Sequence, residues 1–156
     1  KPYFALDRML AAAFDVAGRL FGLRFIERPE IETYHPDVRA FEVRRSDRGQ
    51  ETIVGLFLSD NFARPSKRSG AWMSAYRWQN KIAGGALPII VNNNNFAQAP
   101  AGQPTLLSFD DVRTLFHEFG HGLHGLLSDV TYDRLSGTKV LRDFVELPSQ
   151  IYEHWA

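Results

Sequence analysis

The sequence contains no cysteine, which rules out a disulfide framework and any thiolate metal site. Any metal must therefore be held by histidine or carboxylate side chains. No apolar run approaches the roughly 20 residues needed to cross a bilayer. Charge of one sign is also lacking: Lys and Arg total 18, and Asp and Glu total 18. The balance leaves no basic surplus for nucleic acid and no polybasic block for a membrane surface, so neither is expected as a partner. What is present is ordinary globular composition, 44% hydrophobic and 23% charged, in a chain of 156 residues that can bury one core. The lack of cysteine fits a cytoplasmic location, which is the expectation. Both ends read as cut. Lys1-Pro2-Tyr3-Phe4 shows neither an initiator Met nor a signal-peptide pattern, and His154-Trp155-Ala156 stops inside a helical pattern. A piece of a longer protein is expected.

Leu6, Met9, Leu10, Ala13, Phe14, Ala17 and Leu20 fall at helical spacing from about Phe4 to Phe21, and Gly22 follows as a stop. Leu23 to Ile26 reads as a short strand. Val38 to Arg45 and Thr52 to Leu58 read as a β-hairpin around Asp47-Arg48-Gly49. The run Ile53 to Leu58 is apolar enough to be buried on both faces. Phe62 to Gly70 reads as a loop whose Arg64, Lys67 and Arg68, with nearby Arg77, are solvated surface charges or steer a peptide carboxylate. Leu87 to Val91 reads as a strand, which Pro88 either confines to a sheet edge or begins. The run Asn92 to Asn95 reads as a turn. An edge strand near Ile89 to Asn92 is placed to pair with substrate backbone. Asn92 and, in the later loop Ser136-Gly137-Thr138, Gly137 are the candidate substrate-binding positions.

Ser108-Phe109-Asp110-Asp111 signals a helix start, with a capping serine and acidic residues that suit the helix dipole. Val112, Leu115, Phe116, Phe119, Leu123, Leu126 and Leu127 then form a broad apolar stripe. Within it lies His117-Glu118-Phe119-Gly120-His121, an H-E-x-x-H match. Residues four apart on a helix are offset by about 40° and one turn, so the two imidazoles share a face and can reach one ion. Glu118 projects beside that face, where it can accept a proton from water activated by the ion. Two hydrogen-bonded core histidines would produce the same pattern without a metal.

A catalytic metal site needs a third protein ligand and an open position. His124 lies seven residues after His117, about 10 Å along the axis, and three donors strung along one straight helix do not easily surround an ion. It reads as a neighbour of the ligands, though it remains a rival. Glu146 opens a second helical pattern with Asp143 as a possible cap and Pro148 in its first turn. From there it can approach from another direction. As a residue type, a Glu at a helix start is usually a surface carboxylate. The longer pattern with a third histidine after H-E-x-x-H-x-x-G fails, because positions 124 and 127 hold His124 and Leu127.

The segments around His117 to His121, Ser136-Gly137-Thr138, and Asp143-Phe144-Val145-Glu146-Leu147-Pro148-Ser149-Gln150 resemble the thimet oligopeptidase family of zinc peptidases. In that family a glutamate 29 residues after the first histidine completes the metal site, and here that position is Glu146. The resemblance implies Zn2+ held by His117, His121 and Glu146, with Glu118 as general base. Tyr34-His35-Pro36-Asp37-Val38-Arg39, Gly70-Ala71-Trp72-Met73 and Glu153-His154-Trp155-Ala156 look most like the branch that removes dipeptides from peptide C-termini. The oligopeptidase A branch shares many of these motifs. The implied fold is α+β, with a zincin-type active-site helix beside a small β-sheet, inside a larger, mainly α-helical peptidase. Residues 1–156 would be the zinc-site part of its catalytic domain. The N-terminal helical region would be absent, as would the C-terminal portion that binds substrate and stabilises the oxyanion. Short peptides are the implied substrates, and the rest of the polypeptide is expected to pack on this part.

Overall fold

A computed structural model describes residues 3–47 and 49–156. Helix α1 (Leu6–Phe21) leads into β1 (Leu23–Glu27), β2 (Arg39–Asp47), β3 (Gln50–Phe62), β4 (Trp72–Arg77) and β5 (Ile89–Phe96). Helices α2 (Phe109–Leu126) and α3 (Leu147–Glu153) follow. The strands form one sheet in the order β1-β2-β3-β5-β4, antiparallel except for the β3–β5 pair. Among the described residues no helix is long and apolar enough to cross a membrane. The α+β class holds, with the motif helix beside a small sheet. These residues do not display the mainly helical proportion implied for the whole.

Each element follows from local chemistry. Gly22 ends α1 in the left-handed conformation (φ 67°), returning its N–H to the Gly18 carbonyl. Ser108 and Asp111 form a reciprocal capping box at the start of α2. The hairpin registers from Arg39–Ser59 to Asp47–Gln50; Arg48 of its expected turn lies outside the described residues, as do Lys1 and Pro2. In β3, Phe57 joins the core under the helices while Leu58 joins a second cluster on the opposite face with Val38, Ala40 and Val91. The expected two-sided burial therefore begins late, since Ile53 is exposed.

An aromatic cluster fixes α2. Phe119 lies 5.4 Å from the Phe14 ring of α1 and 5.3 Å from Phe57 of β3. Anchoring Phe119 inward turns the neighbouring His117, Glu118 and His121 towards the other side of the helix. At Gly120 an added Cβ would stand 2.7 Å from Ser149 Cα, so only glycine allows α3 to lie this close.

Two expectations are corrected. The asparagine run is not a turn: Asn92 to Asn95 all lie in β5, which runs between β3 and β4. Two of the amides find local partners: Asn94 donates to Asn61 at 2.9 Å, and Asn95 donates to the carbonyls of Arg68 and Gly70, whereas the buried Asn92 amide has no hydrogen-bond partner among the described residues. Pro88 immediately precedes the strand, and β4 rather than β5 is the edge.

The basic loop is not simply solvated either. The fully buried Asp60 carboxylate receives Arg64 through two hydrogen bonds of 2.6 and 2.7 Å, Lys67 at 3.0 Å and the Tyr34 hydroxyl at 2.8 Å. Lys67 also donates to the carbonyls of Asp60, Phe62 and Asn94. Burial alone would raise the Asp60 pKa, but the donors from Arg64, Lys67 and Tyr34 hold it below its ordinary value. Arg68 stacks on Trp72, 4.4 Å from the ring centroid. This network ties the loop to the sheet just ahead of β4. Asp60→Asn would leave Lys67 buried without its counter-charge, and urea unfolding should show a loss of about 3–5 kcal/mol. A change below about 1 kcal/mol would contradict this account of the network.

Candidate active site

α2 and α3 cross at Gly120 and Ser149, and the crossing brings three donors together. Glu146 rather than Asp143 is the N-cap of α3, and Pro148 lies in its first turn, so the helix starts at Leu147, four residues beyond Asp143. Its Oε2 lies 3.2 Å from His117 Nε2 and 3.1 Å from His121 Nε2. The two imidazole rings are 4.8 Å apart and nearly perpendicular. All three donor atoms fall within 4.8 Å of one another. Bonds of about 2.0–2.1 Å at tetrahedral angles separate donor atoms by about 3.3–3.4 Å. The Glu146 contacts match that spacing, and two nitrogens with one oxygen are a donor set that zinc accepts. The arrangement fits a metal. Burial pushes the His121 pKa down, favouring the neutral imidazole that a ligand must be. The half-exposed Glu146 leaves the site open to solvent.

Supporting contacts fix these side chains. Ser149 Oγ is 3.0 Å from Glu146 Oε2 and 2.9 Å from its carbonyl oxygen. His117 Nδ1 lies 2.6 Å from Glu153 Oε1, whose other oxygen accepts from Arg113 at 2.9 Å. Burial would raise the Glu153 carboxyl, but hydrogen bonds from Arg113 and His117 hold it below its ordinary value. Sequence reasoning assigned neither Ser149 nor Glu153 a role. The available signal was spacing: three and seven residues from Glu146 place both near one face of a single helix.

Glu118 is buried beside the donors (7% exposed). Burial, the largest influence, raises its pKa from 4.5 to about 7; Glu146 adds to the rise and His117 opposes it. Two hollows of about 400 and 360 Å³ flank it and share Ala71, His117 and Glu118. Ala71, just before β4, and Trp72 and Met73 at its start wall the first together with Thr138 and Glu146.

The other candidates lie elsewhere. The His124 ring faces Phe144 at 6.3 Å and borders an apolar cavity of about 490 Å³, outside the donor cluster. Asn92 is buried, and its amide packs against Gly122 of α2 instead of opening to the hollows. Gly137 (φ 57°) spends its N–H on Ser128 Oγ at 2.7 Å, and an added Cβ would stand 2.5 Å from the Trp78 ring. Its place is a close-packing one.

A nitrogen-and-oxygen donor cluster and a buried carboxylate thus stand together on a helix beside a sheet. The profile of peptidase family M3 matches residues 1–156, and the chain belongs to that family. It is 51% identical to the dipeptidyl carboxypeptidase of Salmonella typhimurium and 49% identical to that of Escherichia coli, each over the whole chain and 22% of the relative. It is 41% identical to Escherichia coli oligopeptidase A over 99% of the chain and 23% of that relative. The chain thus spans about a fifth of the length of these relatives.

The raised Glu118 pKa has a sign that can be measured in metal-free protein. A group whose folded pKa exceeds its unfolded value stabilises fully below the latter, and that contribution is lost as pH rises through the former. Here the window runs from 4.5 to about 7. Relative to Glu118→Gln, metal-free wild type should lose about 3 kcal/mol between pH 4 and pH 8, at about 1.4 kcal/mol per pH unit. Urea titrations with a chelator present measure the difference. A pH-independent gap would show that the carboxyl is not desolvated.

Proposed function

We propose that residues 1–156 form the catalytic centre of a zinc-dependent peptidyl-dipeptidase that hydrolyses short peptides two residues from the carboxyl terminus. The observation that carries this is the convergence of His117, His121 and Glu146 from two helices beside the buried Glu118. The reaction type agrees with membership of peptidase family M3. The exopeptidase reading rests on identities of 49–51% to relatives named dipeptidyl carboxypeptidase, against 41% to oligopeptidase A.

When bound, zinc supplies polarisation of the scissile carbonyl and acidification of water. His117, His121 and Glu146 hold it, leaving the solvent side open. Glu118 takes up a proton as water attacks the carbonyl carbon, then returns it to the amine nitrogen as the C–N bond breaks. The free side of β4 is the sheet edge nearest this site, and an extended peptide pairs with it through backbone hydrogen bonds. Groups that stabilise the oxyanion belong to the rest of the polypeptide, so the isolated 156 residues should hydrolyse peptides poorly. We place that remainder on the face where the cavity behind α2 opens among the exposed Leu147, Ile151 and Trp155.

In the full polypeptide carrying this chain, Glu118→Gln should keep one zinc per chain and lose about 10²–10⁴-fold in kcat. Unblocked peptides should release free C-terminal dipeptides, while C-terminally amidated ones stay intact. Internal cleavage of both would favour the oligopeptidase A-like reading, for which the 41% relative speaks. Zinc bound with no hydrolysis by the unmutated protein would reduce the site to a non-catalytic zinc-holding module.

A further inference from the structure

The two histidines of the motif are not supported alike. His117 has a carboxylate at each ring nitrogen: Glu146 Oε2 lies 3.2 Å from Nε2, and Glu153 Oε1 lies 2.6 Å from Nδ1. His121 has Glu146 at Nε2 only, and its buried Nδ1 has no hydrogen-bond partner among the described residues. Both carboxylates that flank His117 come from α3, seven residues or about two turns apart. Arg113, one turn before His117 on α2, holds the second oxygen of Glu153 at 2.9 Å.

We infer that Glu153 is the positioning residue of the metal site: it accepts the Nδ1 proton of His117, fixes that tautomer, and so presents the Nε2 lone pair to zinc, with Arg113 aiming the carboxylate. An ionised carboxylate is an acceptor only, so the 2.6 Å contact requires Nδ1 to be the donor. With Nδ1 committed to Glu153, Nε2 is the nitrogen left for the ion, on the side where Glu146 and His121 converge. A carboxylate behind a ligating imidazole also strengthens it as a donor, and loss of such a partner weakens metal binding by about 10–100-fold. Without Glu153 the ring is free to carry its proton on Nε2, the nitrogen the ion needs. A solvated surface pair of Arg113 and Glu153 would have no such consequence. Glu153 is only 19% exposed, however, and its contact to His117 is the shorter of its two.

The inference rests on the zinc reading above, and its test separates the two. In the full polypeptide, zinc affinity is measured by chelator competition for wild type, Glu153→Ala, Glu153→Gln and Arg113→Met. The tautomer of His117 is read in parallel from 15N spectra of metal-free, histidine-labelled protein, its signal identified by loss in His117→Gln. Glu153→Ala should weaken zinc binding about 10–100-fold and move His117 away from the Nδ1-protonated form. Glu153→Gln keeps an acceptor oxygen and should recover part of both effects. Arg113→Met should give the smallest loss. If Glu153→Ala fails to fold, the isosteric Glu153→Gln decides by the same two readings. Zinc affinity within twofold of wild type, with an unchanged His117 spectrum, would overturn the role of Glu153 while leaving the zinc site standing. Failure of wild type itself to bind zinc would instead remove the reading on which the inference depends.

Discussion

The site depends on one close contact, the crossing of α2 and α3 at Gly120 and Ser149. A side chain at position 120 would have to occupy the space of the Ser149 backbone. The separation of the helices, and hence the reach of the Glu146 carboxylate to the two imidazoles, is set there. The short α3 is held in place largely by tertiary contacts, as expected for a helix of two turns. Tyr152 packs on Phe116 and Phe119 and donates to the Ala13 carbonyl at 2.7 Å, joining α3 to α1. Through Phe119 the same core fixes the rotation of α2.

Polar groups stand where that packing leaves them. Glu118 is buried and driven towards its neutral form, whereas Glu146 is half exposed. Two carboxylates beside the same histidines thus meet different environments, which suits the buried one to move protons. On the sheet side, the Asp60 network and the Asn95 amide fix the 63–71 loop. That loop delivers Ala71 and Trp72 to the wall of the cleft. Buried ion pairs add little net stability but specify position, and here the position specified is a boundary of the site.

Much of this was legible in the sequence because it is local. A capping serine, a 3.6-residue apolar stripe and a four-residue histidine spacing define α2 and its polar face without knowledge of any partner. The place of Glu146 was open until the 29-residue spacing of the resemblance selected it, because the return of a chain through a loop is not written in periodicity. Asn92 to Asn95 misled because asparagine is a turn former in isolation, and only neighbouring strands and a loop backbone can satisfy a row of amides inside a sheet. Arg64 and Lys67 misled similarly. Their partner Asp60 sits four and seven residues earlier in β3, shortly after the apolar run Ile53 to Leu58, and an acid in that place was the available clue. Glu153 and Ser149 were hidden for want of a fixed helix start, without which their shared face with Glu146 is undefined.

The most direct measurement of the central claim is X-ray absorption at the zinc edge of the full polypeptide, for wild type and Glu146→Ala. The account predicts two imidazole nitrogens and one carboxylate oxygen at about 2.0–2.1 Å plus a solvent-derived light atom, with the carboxylate contribution and most of the affinity lost in the variant. A first shell unchanged by Glu146→Ala would contradict it, because α3 would then be packed beside the metal without holding it.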